Sequence, residues 1–151
     1  YRAVTLDRLG RYAEAIAVYQ ELLSRDPAHV PTHFFLGQTY SHMGEYRRAI
    51  EEAEKAIRLD PDFGNPYNDI GVYLMEQGKD GEAVPYLERA MGAKRYCCYQ
   101  FPHFNMGRIY LKKRLYAKAR DEFQKSLAID PDYAPARQAL ELLKQYGVDE
   151  I

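Results

Sequence analysis

Residues 36–61, LGQTYSHMGEYRRAIEEAEKAIRLDP, decide the fold. The stretch begins with a helical pattern of apolar residues, breaks at Gly44, continues with a second segment rich in small alanines and ends at Asp60-Pro61. Glycine supplies the left-handed backbone that a tight turn needs, and proline pushes the residue before it out of helical geometry. The stretch therefore predicts a helix, a turn, a second helix and a stop.

Imperfect copies of this block recur on both sides of it. The turn pattern Gly-x-Tyr-x-x-Ala occurs twice intact, once with aspartate in place of tyrosine, and once without its glycine. The copies lie at residues 10–15, 44–49, 78–83 and 114–119. The last alanines of the copies are spaced 34, 34 and 36 residues apart. Such a period predicts a stack of equivalent helix pairs that bury their apolar sides against one another.

This period, with its turn and its Asp-Pro stop, resembles that of the tetratricopeptide repeat (TPR) family. The resemblance implies an all-α fold, a right-handed superhelical solenoid of helix-turn-helix units with about four repeats and a C-terminal capping helix. We expect a single domain over residues 1–151. Its expected units are repeats 1–29, 30–63, 64–99 and 100–133 and a capping helix over 134–146. The first repeat is partial, because Tyr1 falls about six residues into its first helix, and we therefore expect the sequence to be a piece of a longer chain.

Composition and charge exclude several classes of function. The net charge of −1 gives no basic surface for nucleic acid or for an anionic membrane. No stretch approaches the roughly 20 consecutive apolar residues of a membrane span. We therefore expect a protein or peptide partner, no nucleic acid and no transmembrane segment in this stretch. The compartment stays open, because a signal peptide or a lipidation cysteine would lie upstream of Tyr1.

The reactive side chains form no catalytic pattern. We assign the four histidines, at positions 29, 33, 42 and 103, to unrelated phases of the repeat. Pro31 separates His29 from His33 at an expected helix start, so we expect no metal site there. The sequence has no Gly-x-Ser-x-Gly and no phosphate-binding glycine loop. These observations predict a non-enzymatic protein without a cofactor.

The stretch between repeats 3 and 4 departs from the pattern. Residues 92–102 lack the Asp-Pro stop and carry two extra residues, and they contain the only cysteines, Cys97 and Cys98. An adjacent pair forms neither a disulfide framework nor a four-ligand zinc site. We expect both to be buried packing residues, with a redox switch as the alternative. Within repeat 3, Pro85 predicts a late start or a slight bend of the second helix.

In TPR proteins the first helix of each repeat lines a concave groove in which partner segments usually bind, and the resemblance implies the same here. The repeat register maps this groove onto twelve residues, five of them apolar. They are Phe34, Gln38, Ser41, His42, Asn68, Val72, Met75, Glu76, Phe104, Arg108, Leu111 and Lys112. Apolar side chains placed off the packing side of a helix indicate a contact surface. Alternatively, the C-terminal helix or the linker covers them, or they form a self-dimer interface.

The expected mechanism of binding is the burial of apolar anchors. Phe34 and Met75 are the expected anchors, and Gln38, Asn68 and Arg108 are expected to fix the register of the partner by hydrogen bonds. Truncation of either anchor to alanine is then expected to weaken binding without unfolding the chain.

One known type of TPR ligand site is missing. Some TPR modules hold a terminal carboxylate with a Lys-x-x-x-Arg pair at the start of a first helix. The matching positions in repeat 4 are Phe101 and Asn105. We therefore expect the ligand to be an internal peptide, a helix or a folded surface.

Residues 64–131 also resemble the type IV pilus biogenesis pilotins. The residues that carry this resemblance are Asn68-Asp69-Ile70-Gly71, Asn105-Met106-Gly107 after a step of 36 residues, and Tyr96 in the extended linker. Members of that family are TPR lipoproteins of the bacterial outer membrane that help a secretin subunit localise and assemble. Their first motif reads roughly Asn-Asn-Tyr-Gly, so Asp69 and Ile70 depart from it, as do Cys97 and Cys98 in the linker.

The main functional hypothesis is a non-catalytic protein–protein interaction scaffold. The first alternative is a pilotin-like lipoprotein, which would lie at the outer membrane or in the periplasm rather than in the cytoplasm. A TPR regulatory segment of a larger enzyme predicts that the native gene continues into a catalytic domain past Ile151. A homo-oligomeric scaffold predicts a concentration-dependent mass in sedimentation.

Overall fold

The computed structural model describes residues 2–145 and 147, and over these residues the chain forms nine α-helices and no strand. The helices are α1 (Arg2–Arg8), α2 (Tyr12–Arg25), α3 (Val30–His42), α4 (Tyr46–Leu59), α5 (Asn65–Glu76), α6 (Asp80–Met91), α7 (Gln100–Lys112), α8 (Tyr116–Ile129) and α9 (Ala134–Gln145). The predicted all-α fold is confirmed. Tyr1 and Tyr146, which the predicted first repeat and capping helix included, lie outside the described residues, as do residues 148–151.

The helices pack in sequential pairs. The pairs are α1 with α2, α3 with α4, α5 with α6 and α7 with α8, and α9 lies against α8. Each pair also contacts the next one along the chain, as expected for a solenoid. Because α3 contacts α5 and α5 contacts α7, the first helices of repeats 2, 3 and 4 form one continuous side of the molecule.

The turn inside each pair uses a left-handed residue. Gly10, Gly44 and Gly78 have φ angles of 77°, 79° and 76°. Arg114 takes the same place in the fourth copy with φ 59°, although a side chain disfavours this conformation. The turn geometry therefore persists where the glycine is lost.

The two helices of a repeat approach closely where the first helix has a glycine. A Cβ atom on Gly37 would lie 3.0 Å from the carbonyl oxygen of Ala49. A Cβ atom on Gly71 would lie 2.6 Å from Cδ2 of Leu87. The recurrent glycine of the first helices therefore sets the distance to the second helix of the same repeat.

Helix α6 begins at Asp80, directly after Lys79, at the same repeat position as α2, α4 and α8. The late start predicted from Pro85 is therefore wrong. Proline removes the N–H that would bond to the carbonyl of the residue four positions earlier, which here is Gly81. Helix α6 has 12 residues whereas α2, α4 and α8 have 14, so the difference lies at its C-terminal end.

The core consists of three clusters of buried side chains along the stack. The central cluster contains Ile70, Leu87 and Ile109, each 0% exposed. A second cluster joins α1, α2 and α3, and a third is built around Phe123 and Leu143 of α8 and α9. The chain therefore buries its apolar surface between neighbouring repeats rather than around one centre.

The linker between α6 and α7 folds back on the turn that precedes α5. The backbone N–H of Arg95 donates to the Asp62 carbonyl at 3.0 Å, and that of Gly64 donates to the Arg95 carbonyl at 2.8 Å. The guanidinium of Arg95 forms an ion pair with Asp60. These contacts anchor the extra residues of the linker to the start of repeat 3.

Cys97 and Cys98 form a disulfide in this linker. Cys97 is exposed and Cys98 is half-buried, so the prediction of two buried packing cysteines is wrong. The physical reason is the position of the linker, which runs over the surface beside the N-terminus of α5. There the side-chain amide nitrogen of Asn65 lies 3.8 Å from the sulfur of Cys97.

Candidate functional site

The predicted groove residues lie on α3, α5 and α7, and we call the side of the molecule defined by these twelve residues the groove face. His42, Glu76 and Lys112 are exposed. The half-buried members are Phe34, Gln38, Ser41, Val72, Phe104, Arg108 and Leu111. Asn68 and Met75 are buried, with 6% and 4% of their surface exposed. Most of the set is therefore accessible to a partner, and its role in binding stays a prediction.

Met75 is not the exposed anchor that the sequence predicted. Its side chain belongs to the central cluster, together with Met106 and Ile109 of α7. Because α7 packs against α5, the next repeat covers the side of α5 on which Met75 lies. Met75→Ala would therefore open a cavity in the core and lower stability, contrary to the expectation from sequence.

Side-chain hydrogen bonds connect neighbouring helices of the groove face. Asn105 Nδ2 donates to Asn68 Oδ1 at 3.1 Å, and Arg108 Nη1 donates to Asn105 Oδ1 at 3.3 Å. Gln38 Nε2 donates to Asp69 Oδ2 at 3.3 Å. The three polar residues predicted to bind a partner therefore already bond within the chain, where they connect α3 with α5 and α5 with α7.

Asp69 is a candidate that sequence reasoning did not place in the groove. It is half-buried on α5. Burial raises its pKa to about 7, and the hydrogen bond from Gln38 lowers the pKa only in part. Burial, reinforced by the charge of Asp69, also raises the pKa of Tyr73 and of Tyr96. A signal was present in the sequence, because Asp69 replaces the second asparagine of the pilotin motif.

One aromatic cluster lies on the groove face beside the Gln38–Asp69 hydrogen bond. The ring centroid of Phe34 lies 5.6 Å from that of Phe63 and 5.2 Å from that of Phe35, both edge-to-face. This arrangement is favourable for aromatic pairs and leaves Phe34 half-buried.

A second aromatic cluster lies at the other end of the face. The ring of Phe104 lies 5.4 Å from Tyr133 and 5.6 Å from Phe123, and Phe101 lies 5.5 Å from Tyr133. The groove prediction missed Phe63 and Tyr133, although they are 70 residues apart and follow equivalent Asp-Pro-Asp turns. The repeat spacing was the signal that could have found them.

Phe104 and Leu111 are covered in part by the C-terminal helices. Both pack against the cluster of Phe123 and Leu143. Helix α9 therefore covers one edge of the groove face, as one of the alternatives from sequence proposed, while Phe104 and Leu111 remain half-buried.

His33 and His103 occupy the same position in repeats 2 and 4, so their assignment to unrelated phases is wrong. His33 Nδ1 lies 2.8 Å from Glu52 Oε2, and His103 Nδ1 lies 2.8 Å from Glu122 Oε2. His33 Nε2 also lies 2.7 Å from the carbonyl oxygen of Pro27. Each histidine thus ties the first helix of its repeat to the second, which is a structural role.

In repeat 3 the equivalent contact is made by different residues. The hydroxyl of Tyr67 donates to the Pro61 carbonyl at 2.8 Å, and the guanidinium of Arg89 lies 4.5 Å from the ring centroid of Tyr67. Among the described residues, no group of three or more His, Cys, Asp or Glu side chains could hold a metal ion.

A cavity of about 530 Å³ lies between α1, α2 and α3. Its lining includes Val4, Val18, Leu22 and Phe35, and it includes none of the twelve groove residues. This recess is therefore separate from the groove face.

Within the part of the chain that the structure describes, no helix combines the length and the apolar character needed to cross a bilayer. The longest helices have 14 residues.

Comparison with protein families gives three matches of one kind. Models described as tetratricopeptide repeat match residues 8–71, 67–95 and 101–133. Together the matches cover α2 to α6 and α8 in full, and α7 except for Gln100.

Two curated relatives illustrate the range of proteins that share this pattern. Tetratricopeptide repeat protein 21B of Mus musculus is 31% identical over 119 residues, which are 77% of this chain and 8% of the relative. Type IV pilus assembly protein PilF of Pseudomonas aeruginosa is 26% identical in an alignment of 155 positions, gaps included. This alignment covers 91% of this chain and 62% of PilF. The chain thus spans less than two thirds of either relative.

Solved structures share the fold over nearly the whole chain. The crystal structure of MamA is 26% identical with a TM-score of 0.79, covering 98% of this chain and 86% of that one. The crystal structure of PilW, a type IV pilus biogenesis factor, has a TM-score of 0.85 and covers 97% of this chain and 67% of PilW. At 22% identity, the likeness to PilW concerns the fold alone.

Proposed function

Since the chain belongs to the tetratricopeptide repeat family, we propose that it is a non-catalytic module that binds a segment of a partner protein on the groove face. TPR proteins are mainly repeat scaffolds that bind other proteins, and their first helices present the binding side.

The two half-buried aromatic clusters on the groove face carry this proposal. Phe34 stands at one end of the face and Phe104 at the other, with the hydrogen-bonded polar residues between them. Aromatic side chains with a polar surround are typical of the residues that contribute most to binding at protein interfaces. Phe34 in particular keeps part of its ring accessible, so a partner can bury it further.

A displayed library of random dodecapeptides tests the proposal, because it does not require the natural partner to be identified first. Selected peptides are titrated by calorimetry against the wild type, Phe34→Ala and Phe104→Ala, with circular dichroism to verify that each variant is folded. We expect Phe34→Ala to weaken binding at least tenfold, because an interface anchor commonly contributes more than about 1.4 kcal/mol.

Leu59→Ala is the matched control. Leu59 is an apolar residue on α4 with 45% of its surface exposed, and it lies outside the groove face. Its truncation is expected to leave the affinity within about twofold. Peptides that bind equally well to the wild type and to both phenylalanine variants would contradict the proposed site.

The similarity to PilF favours a specific second candidate, a pilotin-like role in secretin assembly. PilF is described as a type IV pilus assembly protein, and the match covers 91% of this chain. Membrane fractionation and intact mass of the native, full-length protein test this role. A lipidated N-terminal cysteine in the outer-membrane fraction, with loss of secretin multimers when the gene is deleted, is the expected result. An unmodified cytosolic protein would contradict it.

A further inference from the structure

Two half-buried ionisable groups on the groove face have no counter-charge within residues 2–145 and 147. One is the carboxyl group of Asp69 on α5, and the other is the guanidinium of Arg108 on α7. Both side chains are half-buried. Neither takes part in an ion pair with a described residue, whereas Lys112 on the same face pairs with Asp80 at 3.4 Å.

Asp69 lies in a desolvated site. Its one described hydrogen-bond donor is the neutral amide of Gln38, at 3.3 Å. A neutral donor at that distance offsets only part of the free energy that a carboxylate loses when it leaves water. A cationic group brought to this carboxylate by a partner would offset the rest.

Arg108 is left with donors to spare. Among the described residues it gives one side-chain hydrogen bond, to the neutral Oδ1 of Asn105 at 3.3 Å. Guanidinium carries five N–H donors in a planar fork that fits a carboxylate in two places. Arg108 therefore has the chemistry to receive an acidic side chain of a partner.

The two charges lie on adjacent helices, and their relative position is fixed. Asp69 follows Asn68, whose Oδ1 accepts from Asn105, and Asn105 in turn accepts from Arg108. Neighbouring packed helices have axes about 8–10 Å apart. An extended segment spans about 10 Å in three residues, and a helical segment spans about 10 Å in seven.

We propose that the groove face binds a partner segment carrying one basic and one acidic side chain about 10 Å apart, the basic one at Asp69 and the acidic one at Arg108. This inference rests on the proposed function and adds the chemistry and the direction of the ligand. In the reverse orientation, like charges would face each other at both positions. The pair therefore selects one direction of the segment, as charge complementarity does at other interfaces.

The dodecapeptide library described above, selected separately against the wild type, Asp69→Asn and Arg108→Gln, tests the inference. Wild-type binders are expected to share a basic and an acidic residue at a fixed spacing of about three or about seven positions. Peptides selected for binding to Asp69→Asn are expected to lose only the shared basic residue. Peptides selected for binding to Arg108→Gln are expected to lose only the shared acidic residue. Exchange of the two charged residues in a wild-type binder is expected to weaken it at least tenfold.

Glu88→Gln is the matched control for charge removal, because Glu88 is an exposed carboxylate on α6 and lies outside the groove face. Its substitution is expected to change the affinity less than about twofold, as for other solvent-exposed charges. Binders that depend on Phe34 but carry no charged pair, or that bind Asp69→Asn and Arg108→Gln as tightly as the wild type, would overturn this inference and keep the proposed function. Binders that depend on neither phenylalanine nor charge, or a library that yields no binder, would overturn both.

Discussion

Gly107 illustrates how a single missing Cβ atom determines the contact between α7 and α8. A Cβ atom on Gly107 would lie 2.5 Å from Cε1 and 2.7 Å from Cδ1 of Phe123. The ring of Phe123 is 0% exposed and therefore has little space into which it can move. The helix pair of repeat 4 must separate or repack if this glycine acquires a side chain.

Gly107→Ala is expected to lower the free energy of unfolding by about 1–3 kcal/mol, the usual cost of overpacking a core. This loss persists although alanine favours the helix by about 1 kcal/mol over glycine. Gly81→Ala is the control, because nothing lies within 4 Å of a Cβ atom there, and it is expected to be neutral or stabilising. Urea denaturation of both variants measures the difference, and equal effects would contradict the close packing of Gly107.

Asp69→Asn is expected to stabilise the chain more at pH 8 than at pH 4. The buried carboxyl, with a pKa of about 7, keeps a proton that the unfolded chain gives up near its ordinary pKa of 3.8. The wild type therefore loses stability as the pH rises between these values, while its titratable neighbours Tyr73 and Tyr96 have raised pKa values and stay neutral.

At about 1.4 kcal/mol for each pKa unit, the advantage of Asp69→Asn should grow to roughly 2–4 kcal/mol near pH 7 and then level off. Chemical denaturation of both proteins at a series of pH values measures it. A difference that does not change with pH would contradict the burial of this carboxyl. Because Asn is expected to stabilise the fold, a loss of ligand binding in the same variant cannot be attributed to unfolding.

Residue-scale prediction from the sequence succeeded where a position depends on its own helix pair. Gly44 was predicted to supply the left-handed backbone of the turn, and its φ angle is 79°. Met75 and Asp69 were not correctly predicted, because their burial depends on α7 and α3, which belong to other repeats. Helix phase alone does not reveal what the adjacent repeat covers.

At the scale of the element, a largely buried His–Glu hydrogen bond connects the two helices in repeat 2, and an equivalent one connects them in repeat 4. The side chains of His33 and Glu52 are 8% and 12% exposed. In repeat 4, burial alone would raise the pKa of Glu122, but the hydrogen bonds from His103 and Lys125 outweigh it and hold the pKa below its usual value. That carboxylate therefore adds stability above its ordinary pKa of 4.5, and the contribution is lost as the pH falls.

His33→Ala is expected to lower the free energy of unfolding by about 2–4 kcal/mol, because Glu52 and the Pro27 carbonyl each lose their contact with the buried imidazole ring. Arg47→Ala is the control. It removes an ion pair with Glu51 in which Arg47 is 91% exposed, and it should cost less than about 0.5 kcal/mol. Thermal or urea unfolding compares them, and a His33 effect as small as that of Arg47 would argue against the pair as a helix connection.

Helices were the most predictable elements, and the linker was the least predictable. The turn pattern placed the starts of α2, α4 and α8 correctly. It should also have been followed for α6, which begins with Asp80 at the usual position, whereas the late start predicted from Pro85 is wrong. The linker has no counterpart in the other repeats, so the repeat pattern gave no information on the exposed disulfide of Cys97 and Cys98. Periodicity predicts only what recurs.

At the scale of the whole molecule, the position of a helix in the stack determines how many neighbours stabilise it. The central cluster draws on α4, α5, α6 and α7. Helix α9 contributes Ala136 and Leu143 to the buried core, and its main neighbour is α8. In a linear array of repeats, stability is the sum of each repeat and its contacts with adjacent ones. The centre should therefore open less often than the C-terminal end.

Hydrogen exchange measured by mass spectrometry should show slower exchange in α5 and α6 than in α9. Leu87→Ala, at a fully buried position of α6, should cost about 2–5 kcal/mol and accelerate exchange in α5 and α6 most. Leu142→Ala, at a site 44% exposed on α9, should leave the central helices unchanged. Equal exchange in all helices would mean that the chain opens only as one unit, and this result would contradict a stack stabilised by neighbouring repeats.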